Sequence, residues 1–62
     1  MEIRKGDKLT LKDLAVFFNI SYSTIKHTKE KRLQLFNSFC DYHLEGKKIV
    51  IDEVIFSTYE KY

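Results

Sequence analysis

With 62 residues, 11 Lys or Arg against nine Asp or Glu, one cysteine and no proline, the chain is bounded before any motif is read. It is one domain at most, it has no run of the ~20 apolar residues a membrane helix needs, and it cannot close a disulfide within itself. The single cysteine and the charged start MEIRKGDK, which lacks an apolar signal segment, fit a reducing, cytoplasmic setting.

A domain this small buries only about 60% of its unfolded surface. Such scaffolds compensate with disulfides, metal, oligomerisation or dense packing. Five Phe and four Tyr point to packing, with a partner chain as a second means. The net charge of +2 is unevenly spread. Residues 1–32 carry eight Lys and Arg against four Asp and Glu, a net +4, and residues 33–62 carry three against five, a net −2.

In chain order, Gly6-Asp7 reads as a turn between Ile3 and Leu9, which form a short extended segment. Arg4 and Lys5 are a basic terminus, solvated or in reach of phosphate. Thr10 then caps a helix over 10–18, with Asp13 three residues on completing a capping box. Leu11, Leu14, Ala15 and Phe18 fall on one face at helical spacing. Asn19 tolerates the left-handed conformation that ends a helix. Ile20 plugs the turn, and Ser21 caps a second helix that runs to His27 or Thr28 and buries Ile25.

Ala15, Asn19 and Ile25 carry the spacing of a helix-turn-helix: a small residue at the helix crossing, a turn residue four on, an aliphatic six beyond that. The usual turn residue is Gly, so Asn19 is a departure. The bland alternative is a helical hairpin packed for stability, with the same core.

From Thr28 the pattern is ambiguous. Either Thr28 caps a third helix, Lys29 to Cys40, or the second helix continues. Leu33, Phe36 and Cys40 share one face, and Leu35, Phe39 and Tyr42 widen it. Beyond Asp41 the period changes to that of strands. Cys40–Leu44 and Lys48–Ile51 flank a turn at Glu45 to Lys47, and Val54-Ile55-Phe56 continues the second run. A rival turn at Asp52-Glu53 has no glycine. Thr58 to Tyr62 reads as a fraying end or a linker, which suits the N-terminal module of a longer protein. The fold expected is α+β and mostly helical: a helix-turn-helix, a further helix and a C-terminal β-hairpin.

A helix-turn-helix followed by a hairpin resembles the winged-helix DNA-binding domains, whose hairpin adds contacts to DNA. A long apolar helix before the hairpin makes that match partial. The layout is also similar to small N-terminal domains of phage and mobile-element regulators, among them those of some anti-CRISPR proteins aimed at the staphylococcal CRISPR effector nuclease. That resemblance implies repression of the protein's own promoter, in a bacterial or phage-infected cell, by this part of the chain.

If the second helix enters the major groove, Ser21, Tyr22, Ser23, Lys26 and His27 face the base edges. Lys12, Lys29, Lys31 and Arg32, with Lys47 and Lys48 on the hairpin, would hold phosphates. So small a reader needs a homodimer on an inverted repeat, and Phe17, Phe39 and Tyr59 are surplus aromatics for such a contact. The plainer readings are a Tyr22–Phe18 contact and lysines that serve solubility.

No enzyme, cofactor, metal or small-molecule substrate is expected. Cys40 and His43 form C-x-x-H, but a structural zinc site needs four ligands and only His27 remains. Asp52 and Glu53, adjacent on a strand, point to opposite faces and are not a catalytic pair. The competing function is a protein-interaction module that binds a host protein through Leu35, Phe39, Ile55 and Phe56.

Overall fold

The computed structural model describes residues 1–59. Its elements run β1 (Lys8–Leu9), α1 (Leu11–Phe18), α2 (Tyr22–His27), α3 (Lys29–Phe36), β2 (Cys40–Glu45) and β3 (Lys48–Val54). The α+β class is as expected. The three strands form one antiparallel sheet in the order β1-β3-β2.

Local chemistry sets the first half. The Thr10 N–H donates to Asp13 Oδ2 at 2.9 Å, and the Asp13 N–H donates back to Thr10 Oγ1 at 3.3 Å. The capping box therefore satisfies two backbone donors that α1 leaves free. At the other end Asn19 sits at φ 56°, ψ 47°. Its N–H donates to the Val16 carbonyl at 3.1 Å, and that of Ile20 to Ala15 at 3.0 Å. This pair of bonds is a Schellman stop, with Asn in the place glycine usually takes. Ser21 Oγ accepts from the Thr24 N–H at 3.2 Å and starts α2. Leu14 and Ile25 are wholly buried where the two helices meet, and Ala15 lies beside them.

Thr28 separates α2 from α3, but not as a cap. It makes no side-chain capping bond to α3. Its hydroxyl donates instead to the Thr24 carbonyl at 2.8 Å, and its own carbonyl accepts from the Arg32 N–H at 2.9 Å. Helical bonding so passes through a residue at φ −118°, ψ 21°, and the result is a bend.

The third helix is shorter than its apolar spacing suggests. It ends at Phe36, and Cys40 is the first residue of β2. Asn37–Phe39 turn the chain, with the Ser38 and Phe39 N–H groups donating to Leu35 and Phe36. Phe36 and Cys40 do share the core, but from two elements. Leu35 is exposed, and Tyr42 reaches the core from the sheet, its hydroxyl donating to the Leu33 carbonyl at 3.3 Å.

The hairpin closes as the turn signal indicates. Glu45 faces Lys48 across a two-residue loop, and Gly46, at φ 60°, takes the positive φ that the first loop position of a type II′ turn requires. Asp52-Glu53 is no turn; both lie within β3, where the register slips opposite Asp41 and Tyr42. The N-terminus is pinned to this sheet. Ile3 N–H donates to the Ser57 carbonyl and Gly6 N–H to Ile51, each at 2.8 Å. Arg4 pairs with Glu2 and Lys5 with Glu53, so neither is a free basic arm.

The expected aromatic surplus is absorbed inside the chain. Phe17 is buried against Phe18, Phe36 and Phe39 at ring-centroid distances of 5.1, 5.2 and 5.5 Å. Tyr59 closes on Phe18 at 5.0 Å. Phe17 is core, Phe39 and Tyr59 are half-buried against it, and Tyr59 is anchored rather than frayed. The rest of the expected C-terminal fray, residues 60–62, lies outside the described residues.

Candidate nucleic-acid interface

Because α3 is short, the hairpin folds back so that its closed end stands beside the starts of the helices. A groove of about 680 Å³ opens between them, lined by residues 10–12, Tyr22, Lys29, Leu33, Leu44 and residues 46–49. It brings together five of the residues singled out from the sequence: Lys12, Tyr22, Lys29, Lys47 and Lys48. They come from α1, α2, α3 and the hairpin and are far apart in sequence. The first turns of α1 and α3 also present the positive ends of their dipoles here.

A second hollow, of about 480 Å³, follows the α2–α3 bend and gathers Lys26, His27, Lys29 and Lys31 around Glu30. Lys29 belongs to both, so the basic surface is continuous from the hairpin end to the bend. The outward face of α2 is free: Ser21, Tyr22, Ser23, Lys26 and His27 are all exposed. Lys26 Nζ lies 5.3 Å from the centre of the Tyr22 ring, a contact one helical turn apart that holds both side chains along the helix.

Not every predicted residue is equally available. Ser21 Oγ is engaged by the Thr24 N–H, lies 2.7 Å from Thr24 Oγ1 and lies 3.2 Å from Ser23 Oγ. Its cap role uses the hydroxyl, and Ser23 keeps more freedom. Arg32 is half-buried, with its guanidinium 5.3 Å over the Phe18 ring. It covers the core, which its place in a run of Lys and Glu did not signal. Lys29 and Lys31 share the hollow at the bend, and of the two only Lys29 reaches the groove beside the hairpin.

Leu44 was not among the predicted residues. It is exposed, lines the groove and faces Ile49 across the hairpin. The alternation of β2, which places Cys40, Tyr42 and Leu44 on one face, carried that signal.

The C-x-x-H pair does not form a unit. Cys40 is buried, 3.8 Å from the Phe36 carbonyl, and its thiol is pushed up to about 11, chiefly by burial and then by Asp41 and Asp52. It stays protonated and inert at neutral pH. His43 lies on the opposite, outer face of β2. Its Nδ1 is 2.8 Å from both Asp52 oxygens and its Nε2 is 3.5 Å from Glu45. The hydrogen bond to Asp52 is the main reason its pKa is raised.

The chain matches no family model, no curated protein and no solved structure. Among the described residues, no helix is long and apolar enough to cross a membrane.

Proposed function

We propose that this chain binds double-stranded DNA, as a homodimer on an inverted repeat, and represses transcription from its own promoter. The observation that carries the reading is the meeting of Lys12, Lys29, Lys47 and Lys48 around Tyr22, at the edge of an exposed, capped second helix. Cations drawn from α1, α3 and the hairpin onto one groove give a footprint for a phosphate backbone. In this reading α2 lies in the major groove, with Ser23, Lys26 and His27 toward base edges and Tyr22 against sugar or a thymine methyl. The β2–β3 hairpin acts as the wing, and Lys47 and Lys48 hold the flanking phosphates. Lys31 extends the track along the bend.

The test is fluorescence anisotropy with the DNA immediately upstream of this protein's gene, against scrambled DNA, across a salt series. Sub-micromolar binding to the upstream DNA alone is expected. The logarithmic salt slope counts phosphate contacts at about 0.9 each, so Lys29→Ala with Lys48→Ala should lower it by about two. Ser23→Ala with Lys26→Ala should remove the preference for the upstream DNA. Equal, weak binding to both DNAs that vanishes by physiological salt would sink the reading in favour of a protein-interaction module.

A further inference from the structure

A phosphate backbone accounts for the lysines of the basic groove but not for the surface between them. Leu11 and Leu33 are half-buried there, Leu44 is 55% exposed, and Ile49 faces Leu44 across the hairpin. These side chains come from α1, α3, β2 and β3, and Tyr22 of α2 adds an aromatic ring. Phosphate oxygens satisfy ammonium groups and gain nothing from leucine. A DNA strand along the groove therefore leaves its apolar lining unused.

The cations are as unengaged as the leucines. Among the described residues the ion pairs use Arg4, Lys5 and His43, and none uses Lys12, Lys29, Lys47 or Lys48. No Asp or Glu lines the groove. Unpaired cations around an apolar surface are complementary to an anion that carries an apolar body.

We propose that the groove binds a small amphiphilic anion, a carboxylate or sulfonate head on an aliphatic or aromatic body. Its volume of about 680 Å³ suits one such molecule, since small-molecule sites run from about 300 to about 1,000 Å³. Such sites are mostly apolar, with a few polar groups that fix orientation. The body covers Leu11, Leu33 and Leu44 and removes their apolar surface from water. The head meets the lysine ammonium groups, while the lysine stems extend the apolar wall. One consequence rests on the DNA-binding reading: the same lysines would hold phosphates, so ligand and DNA exclude each other and the ligand frees the promoter.

Fluorescence titration with anilinonaphthalene sulfonate, without DNA, tests the site. Saturable one-to-one binding is expected, with a dissociation constant on the order of 10–100 μM. N-phenylnaphthylamine, which keeps the rings and lacks the sulfonate, should bind roughly tenfold more weakly. Leu44→Ser, and separately Lys12→Ala with Lys48→Ala, should each weaken the sulfonate roughly fivefold. Phe56→Ser is the control: Phe56 is 60% exposed in a separate hollow with Leu35 and Ile55, and the titration should be unchanged. All the substituted side chains are exposed, so circular dichroism should show the same fold in each variant. No saturable binding, equal binding of the neutral analogue, or a titration lost in Phe56→Ser and kept in Leu44→Ser would overturn the proposal. With no DNA present, failure here leaves the DNA-binding reading standing, and failure of that reading leaves this site standing. Excess upstream DNA should release the bound sulfonate, and a sulfonate retained on the DNA-bound chain would overturn the exclusion.

Discussion

At the aromatic end, Phe17, Phe18, Phe36, Phe39 and Tyr59 lie in mutual ring contact, mostly edge to face. At the groove end, Lys12, Lys29, Lys47 and Lys48 project from α1, α3 and the hairpin with no acidic side chain among the lining residues. The first region holds the elements together and has little left to offer a ligand. The second contributes little to packing, and its geometry depends on the first. Phe36 buries the end of α3, and from there the chain turns back into β2, which carries the hairpin end to the helix starts. A 62-residue chain achieves this division by confining rings and lysines to separate places.

The largest effect should come from breaking the aromatic end. Phe36 is fully buried and touches Phe17, Phe18 and Tyr42. Phe36→Ala should cost about 3–5 kcal/mol, set against a total stability of about 3–9 kcal/mol for a chain of this length. A loss of the cooperative thermal transition by circular dichroism is expected, with DNA binding lost alongside it. A folded variant with a modest shift in midpoint would mean that the rings are less tightly organised than their spacings indicate.

Thr10→Ala sharpens the comparison, because Thr10 lines the groove yet works for the fold. Losing the capping box should cost about 1 kcal/mol, or a melting point lower by about 4–8 °C for a domain this small. The salt dependence of DNA binding should be unmoved. Lys29→Ala with Lys48→Ala should do the reverse. If Thr10→Ala changes the salt slope, the two regions are coupled more closely than their contacts suggest.

The local half of this fold was legible in the sequence. Thr10 and Asp13, Asn19, Ser21 and the Glu45–Lys48 closure act within a few residues, and each sits where its side-chain chemistry indicates. What was illegible is long-range. Leu33, Phe36 and Cys40 have helical spacing, but a helix residue and the first residue of a strand can enter one core at the same interval. The pairing of β1 with β3, beside which Lys5 meets Glu53 of β3, leaves no mark in an eight-residue window. The candidate site shows the same split. The types and most of the residues came from composition and caps, whereas the assembly of Lys12 with Lys47 and Lys48 needed the turn after Phe36. Arg32 is the counterexample, since only the position of the Phe18 ring shows that its cation is used to cover the core.

The smallest effect concerns the outer face of the hairpin, which belongs to neither region. His43 is held by Asp52 and Glu45, and the hydrogen bond to Asp52 raises its pKa above the ordinary 6.5. A raised folded-state pKa means that the protonated form binds its carboxylate partners better folded than unfolded. The stabilisation is complete below about pH 6.5 and fades as pH rises through the folded-state value. His43→Gln should therefore lower the melting temperature slightly in mildly acidic buffer and make no difference in alkaline buffer. Following the His43 ring protons by NMR, the pKa should fall back toward the ordinary value in Asp52→Asn. If it stays where it was, Glu45 rather than Asp52 governs the ring. Because the pair lies on the outer face and outside the basic groove, the same substitution should leave the salt slope of DNA binding unchanged.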